Sequence, residues 1–158
     1  MILNKQVGVF LNLVHNKFKQ YVTEIFEEQG FNITPEQFIV MDTLWDEGTL
    51  TQQQIANIVM KDKNSIVKLV DGLERRDLVR RVSNPNDRRQ NLIEVTEYAK
   101  KIRDRITQLA MDAVDRIING IPKEQMKTFI IVLSKMADNM NNDVNLLELA
   151  NKFPTKER

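Results

Sequence analysis

The sequence predicts a mainly α-helical fold carrying one small β-hairpin. Apolar residues recur at spacings of three and four through most of the 158-residue chain, as on helices with one buried side. Residues that start and stop helices interrupt that period at short intervals in the middle of the chain and at long intervals toward both ends. Only between 78 and 95 does the pattern turn to alternation, on either side of "SNPNDRRQ", whose Asn-Pro-Asn-Asp cluster is turn chemistry. The length suits one domain with its own core. A hydrophobic content of 42 % with 28 % charged residues is globular rather than disordered or membrane-like.

The first helix is expected over 5–29, where Val7, Phe10, Leu11, Val14, Phe18, Tyr21, Val22 and Ile25 form one stripe and Gly30 ends it. The second opens at "TPEQ", with Thr34 as N-cap, Pro35 at the first helical position and Gln37 three residues past the cap; Gly48 stops it. "TQQQ" repeats the start signal at Thr51 and Gln54, so the third helix is short, with Ile55, Ala56, Ile58 and Val59 inward. Asp62 caps the fourth, which buries Ile66, Leu69, Val70 and Leu73 and leaves Asn64, Ser65, Lys68 and Arg75 outside. Strands at 78–82 and 91–95 make the hairpin. From Thr96 the helical period resumes through Ile102, Ile106, Leu109, Ala113 and Ile117 to Gly120. Pro122 opens a last helix along Met126, Phe129, Ile130, Leu133, Met136, Ala137, Met140, Val144 and Leu147. Both closing helices exceed the usual globular length of about eleven to twelve residues. Their stripes run past what the central elements can cover, which predicts burial against a second copy in a two-fold dimer.

The net charge of +1 hides an uneven distribution. Residues 61–89 hold nine basic side chains (Lys61, Lys63, Lys68, Arg75, Arg76, Arg80, Arg81, Arg88, Arg89) against five acidic ones, Asp62, Asp71, Glu74, Asp77 and Asp87. The remainder is net acidic, so one surface would attract a polyanion while the rest repels it. With no cysteine there is no disulfide framework and no thiolate metal cage, and a cytoplasmic location is expected. "MILNKQVGVFLNLVHNK" has neither a continuous apolar centre nor a small-residue cleavage site, and no apolar run is long enough to span a bilayer; neither secretion nor membrane insertion is expected. His15 is the sole histidine and has no ligand spacing around it, and the pairs Glu27/Glu28 and Asp112/Asp115 sit on polar helix faces. No phosphate loop, nucleophile elbow or Ser/His/Asp set is present. The expectation is a non-enzyme with no metal and no cofactor.

Helix, short helix, helix, hairpin is the order of a winged helix-turn-helix, whose second motif helix enters the DNA major groove while the hairpin, or wing, reaches along the duplex. Four motifs sharpen this: Leu50-Thr51 at a helix start, Leu73-Glu74 leading to Leu78-Val79, Asp87-Arg88-Arg89 in the wing, and Val95-Thr96 at its exit. In these residues the chain resembles the MarR family of transcriptional regulators, and the similarity extends over nearly its whole length. Two positions depart from that pattern. Asp77 stands where a glycine is usual before Leu-Val, and an aspartate tolerates positive φ better than most residues; Ala99 stands for the exit glycine.

The resemblance implies one domain over 1–158, with a DNA-binding module at 34–96 and dimerisation helices at 1–30 and 97–158. It implies that Arg89 enters the minor groove, that Asp87 fixes its side chain, and that Arg88 lies on phosphate or groove edge. On the recognition helix Asn64, Ser65 and Lys68 would meet base edges, with Lys61 and Lys63 just before them. Gln52 and Gln53 would hold a phosphate at the start of the preceding helix. The implied function is a homodimeric regulator, most often a repressor, reading a pseudo-palindromic operator in double-stranded DNA. A small aromatic or anionic effector would sit between the dimerisation helices and the module, with Phe10, His15, Phe38, Met41 and Trp45 as candidate lining; at helical spacing such residues are more commonly plain core. The competing expectation is a winged helix used as a protein-interaction scaffold. An apolar or acidic recognition helix would mark it, whereas this one carries Asn64, Ser65 and Lys68.

Overall fold

Two capping boxes set the spacing of the central helices. Gln37 N–H donates to Thr34 Oγ1 at 3.2 Å while Thr34 N–H donates to Gln37 Oε1 at 3.0 Å. The pair Thr51 and Gln54 repeats this at 3.1 and 2.8 Å. Each box satisfies two of the amide donors that a helix start leaves without partners. The computed structural model describes residues 3–140. In chain order these form α1 (Leu3–Glu28), α2 (Pro35–Glu47), β1 (Leu50–Thr51), α3 (Gln52–Val59), α4 (Lys63–Arg75), β2 (Val79–Ser83), β3 (Asn91–Val95), α5 (Glu97–Ile117) and α6 (Lys123–Met140). Val144 and Leu147, expected on the last helix, lie outside the described residues.

The chain divides into two compact units, Met1–Arg116 and Ile117–Arg158. In the first, a three-stranded antiparallel sheet has the order β1-β3-β2. The hairpin expected from the sequence is therefore joined by a third strand, with Leu50 opposite Ile93 and Thr51 opposite Leu92. Two residues are too few to show alternation, so nothing in the sequence announces β1. The core gathers Phe26, Ile33, Val40, Met41 and Leu44 with Ile55, Ile66, Val70 and Leu73 of the two motif helices. Val79 and Ile93 of the sheet and Ala99 and Ile106 of α5 complete it. Recognition helix, wing stem and α5 thus share one apolar centre, which fixes their mutual positions.

Asp77 adopts φ +57°, as its place in the pattern requires. Its carbonyl accepts from Thr96 Oγ1 at 2.7 Å, and Thr96 Oγ1 in turn accepts from Ala99 N–H at 3.1 Å. One threonine so ties the turn before β2 to the start of α5. Ala99 is fully buried there.

The stripe on α1 divides. Val22, Ile25 and Phe26 are buried, whereas Val7, Phe10, Leu11 and Val14 are exposed in the single chain. In the second unit, α6 exposes Phe129, Ile130, Ile131 and Val132. Among the described residues no helix is long and apolar enough to cross a membrane.

Candidate nucleic-acid interface

The start of α4 is built by Asp62. Its Oδ1 accepts from Ser65 N–H at 2.9 Å and its Oδ2 from the Ser65 hydroxyl at 2.7 Å. Those hydrogen bonds hold its carboxyl below the usual carboxylate range. With the first turn closed in this way, Lys63, Asn64 and Lys68 project from it exposed, and Lys61 precedes it half-exposed. Ser65 is half-buried and commits its hydroxyl proton to the cap. It can meet a base edge only as an acceptor.

The wing tip is set by side chains bonding back to their own turn. Asn84 Oδ1 accepts from Asn86 N–H at 3.0 Å. Asp87 Oδ1 accepts from Arg89 N–H at 3.0 Å and from Arg89 Nε at 3.3 Å. The Arg89 side chain nevertheless remains 92 % exposed, so the aspartate aims the guanidinium without burying it. Arg88 is exposed beside it. Across the stem, Arg80 pairs with Glu94 directly opposite.

Most of the acidic residues of this region are spent internally. Asp62 caps α4, Asp71 and Glu74 both bind Arg81, and Asp87 orients Arg89. Lys63, Lys68, Arg75 and Arg88 form no ion pair among the described residues. Four cations of α4 and the wing thus face outward with no carboxylate bound to them. Arg75, exposed on the last turn of α4 as its helical position predicts, belongs to this set although it is not among the expected DNA contacts.

Gln52 and Gln53 part company. Gln53 is exposed and donates to Asn57 Oδ1 at 2.9 Å. With its amide oxygen turned toward Arg81, Gln52 accepts from Nη2 at 3.1 Å and Nε at 3.3 Å, so its side chain is engaged within the module.

The five candidate effector residues are not brought together on one wall. Phe10 and His15 are exposed on α1, Met41 is fully buried, and Phe38 lies between Phe26 and Trp45 with ring centroids 5.9 and 6.4 Å away. Trp45 lines a cleft of about 420 Å³ together with Leu44, Thr49, Arg80, Lys100 and Arg103. Arg103 sits over the Trp45 ring at 5.8 Å and pairs with Asp46. Trp45 Nε1 is buried with no hydrogen-bond partner among the described residues.

Residues 33–90 match the model of the MarR family. The Pseudomonas putida HTH-type transcriptional repressor NicR is 25 % identical over 142 residues, covering 89 % of this chain and 87 % of NicR. A MarR-family transcriptional regulator from Rhodococcus sp. RHA1 is 27 % identical with a TM-score of 0.70, over 87 % of this chain and 96 % of that one. The chain thus carries a MarR-family segment and is similar to a MarR-family regulator over most of its length. A mutant Escherichia coli MarR, solved in complex with operator DNA, has the same fold: TM-score 0.75 at 22 % identity, over 86 % of this chain and 98 % of that one. The segment matched by the MarR model runs from just before the Thr34 capping box to Gln90, past Arg89 in the wing. The MarR-family relatives are transcriptional regulators, not enzymes.

Proposed function

We propose that the chain is a homodimeric, sequence-specific DNA-binding transcriptional regulator, a repressor released by a small-molecule effector. The observation that carries this reading is the exposed basic surface of α4 and the wing, whose neighbouring carboxylates are consumed in capping and internal pairing. A phosphate backbone met by such a surface releases condensed counterions, which supplies sequence-independent affinity. Asn64 and Lys68 on α4 supply groups able to read base edges, and Arg89, aimed by Asp87, suits the negative potential of a narrow minor groove. An interaction scaffold gains no support from a helix surface this polar and basic.

Arg89→Ala is expected to weaken binding of a duplex selected from a random pool by about tenfold and to lower the salt slope by about one. Unchanged affinity and slope in a gel-shift titration exclude the wing from binding.

For the effector, the cleft between α2, the wing stem and α5 favours a small aromatic carboxylate. It is lined by the Trp45 indole and walled by Arg80, Lys100 and Arg103, three cations against the one carboxylate of Glu94. A ligand there touches wing and helix together, and it shifts their arrangement only by its different affinity for the two states. Salicylate should raise Tm and weaken operator binding in the wild type, and less so in Lys100→Gln. No shift in either quantity rules out control by that class.

A further inference from the structure

Arg81 differs from the other wing cations in being turned inward. Its side chain is 20 % exposed, against 92 % for Arg89. Nη2 donates to Asp71 Oδ1 at 2.6 Å and Nη1 to Glu74 Oε1 at 2.7 Å. Its own main-chain N–H donates to the second Glu74 oxygen at 3.1 Å. Gln52 takes up Nε and a further share of Nη2. Asp71 and Glu74 lie one turn apart on α4, Gln52 opens α3, and Arg81 is the middle residue of β2. One guanidinium therefore joins both helices of the DNA-binding motif to the wing, with four of the five donors of its planar fork engaged.

Its place along the strand gives this junction leverage. Leu78 and Val79 anchor the base of β2 in the core, but beyond Arg81 the wing is half-buried at most. No hydrogen bond or ion pair joins residues 82–90 to α4 among the described residues. Arg81 is thus the outermost tie between wing and recognition helix.

We propose that Arg81 is a positioning residue that fixes the wing against α4, so that Arg89 and the α4 side chains engage one duplex together; this rests on the DNA-binding reading above. Arg81 acts through geometry and not as a phosphate contact, since four of its five donors are already taken and its side chain is turned inward.

Charge and geometry predict opposite signs, which makes the test decisive. Asp71→Asn/Glu74→Gln removes two negative charges beside the DNA surface, so electrostatics alone would tighten binding. Loss of the junction should instead weaken it by at least about tenfold, the scale of charge-assisted hydrogen bonds. Arg81→Lys keeps the cation but cannot span three partners, and should fall with the double variant. The full chain lacks cysteine, so a nitroxide on Gln90→Cys reports wing motion from a single position. Its spectrum should show greater mobility in both variants, with Tm near that of the labelled parent. Tighter binding by the double variant, wild-type affinity in Arg81→Lys, or an unchanged label spectrum overturns the proposal. If the double variant does not fold, Arg81→Lys decides by the same readouts. If the parent binds no duplex at low salt, the functional reading falls, while the label spectrum still decides whether Arg81 holds the wing.

Discussion

Met60 and Asp77 are the two non-glycine residues with positive φ among those described, and each marks a joint of the module. Met60, at φ 59° and ψ 43°, ends α3 with its N–H donated to Ala56. Asp77 turns the chain from α4 into the wing. Such backbones cost an L-residue roughly 1–2 kcal/mol. The aspartate was foreseeable because its side chain tolerates the region; nothing in a methionine side chain signals it. Asp42 makes a similar point about charge. Burial on α2 pushes its carboxyl above the usual range, the charge of Asp46 adds to this, and Arg103 opposes it. A carboxyl raised in the folded state binds protons more readily folded than unfolded, so its ionised form lowers stability at neutral pH. Asp42→Asn should therefore raise Tm at pH 7. The gain should shrink as pH falls through the raised range of Asp42, where the wild-type group is already neutral. A neutral or negative change at pH 7 in a thermal melt contradicts this.

At the scale of elements, the recognition helix depends on its cap. Asp62 is ionised in the folded state more readily than a free aspartate, because Ser65 donates two hydrogen bonds to it. A depressed carboxyl contributes stability above its unfolded range and loses it as pH falls through the lower, folded value. Asp62→Ala should loosen the first turn of α4 and weaken DNA binding, while Asp62→Asn, which can still accept from Ser65 N–H, should retain most of both. Amide exchange at Asn64, Ser65 and Ile66 checks this: the first turn should exchange faster in the alanine variant and near the wild-type rate in the asparagine one. Most elements were legible because their signals are local. Thr34, Pro35 and Gln37, or Thr51 and Gln54, lie within one turn of each other. The wing was legible from "SNPNDRRQ", with β2 displaced one residue to 79–83. The short β1 was not, since its only warrant is pairing with β3 some forty residues on.

For the molecule as a whole, the exposed half of the α1 stripe is the main unpaid account. Leu3, Val7, Phe10, Leu11 and Val14 recur on one face and leave the single chain with apolar surface of the kind that marks an interface. In the proposed dimer, a second copy related by a two-fold axis would cover such a face with itself and present two wings to successive turns of DNA. Val14→Glu is expected to shift the protein toward monomer in sedimentation at micromolar concentration. Affinity for a two-half-site duplex should fall by at least about tenfold, while binding to a single half-site changes little. A variant that stays dimeric with full affinity excludes α1 from the interface.

By itself the sequence determined the order of the helices and of the hairpin, the helix N-caps, the Asp87–Arg89 unit of the wing and the charge asymmetry, since each depends on residues near one another in the chain. Tertiary structure alone decided which of those charges reach the surface. Arg81 and Arg89 look alike in the sequence, yet one is sealed by Asp71 and Glu74 and the other stands in solvent. Gly72, inside the recognition helix, has its reason in a different element: a Cβ there would meet Gln37 Nε2 at 2.5 Å, and that glutamine is buried and held by the α2 capping box. Met41 and Phe10 share a residue class and a helical period, but packing closes over the first and leaves the second open. Local rules fix what a segment becomes; which side chains meet across segments follows only from how the helices and the sheet pack.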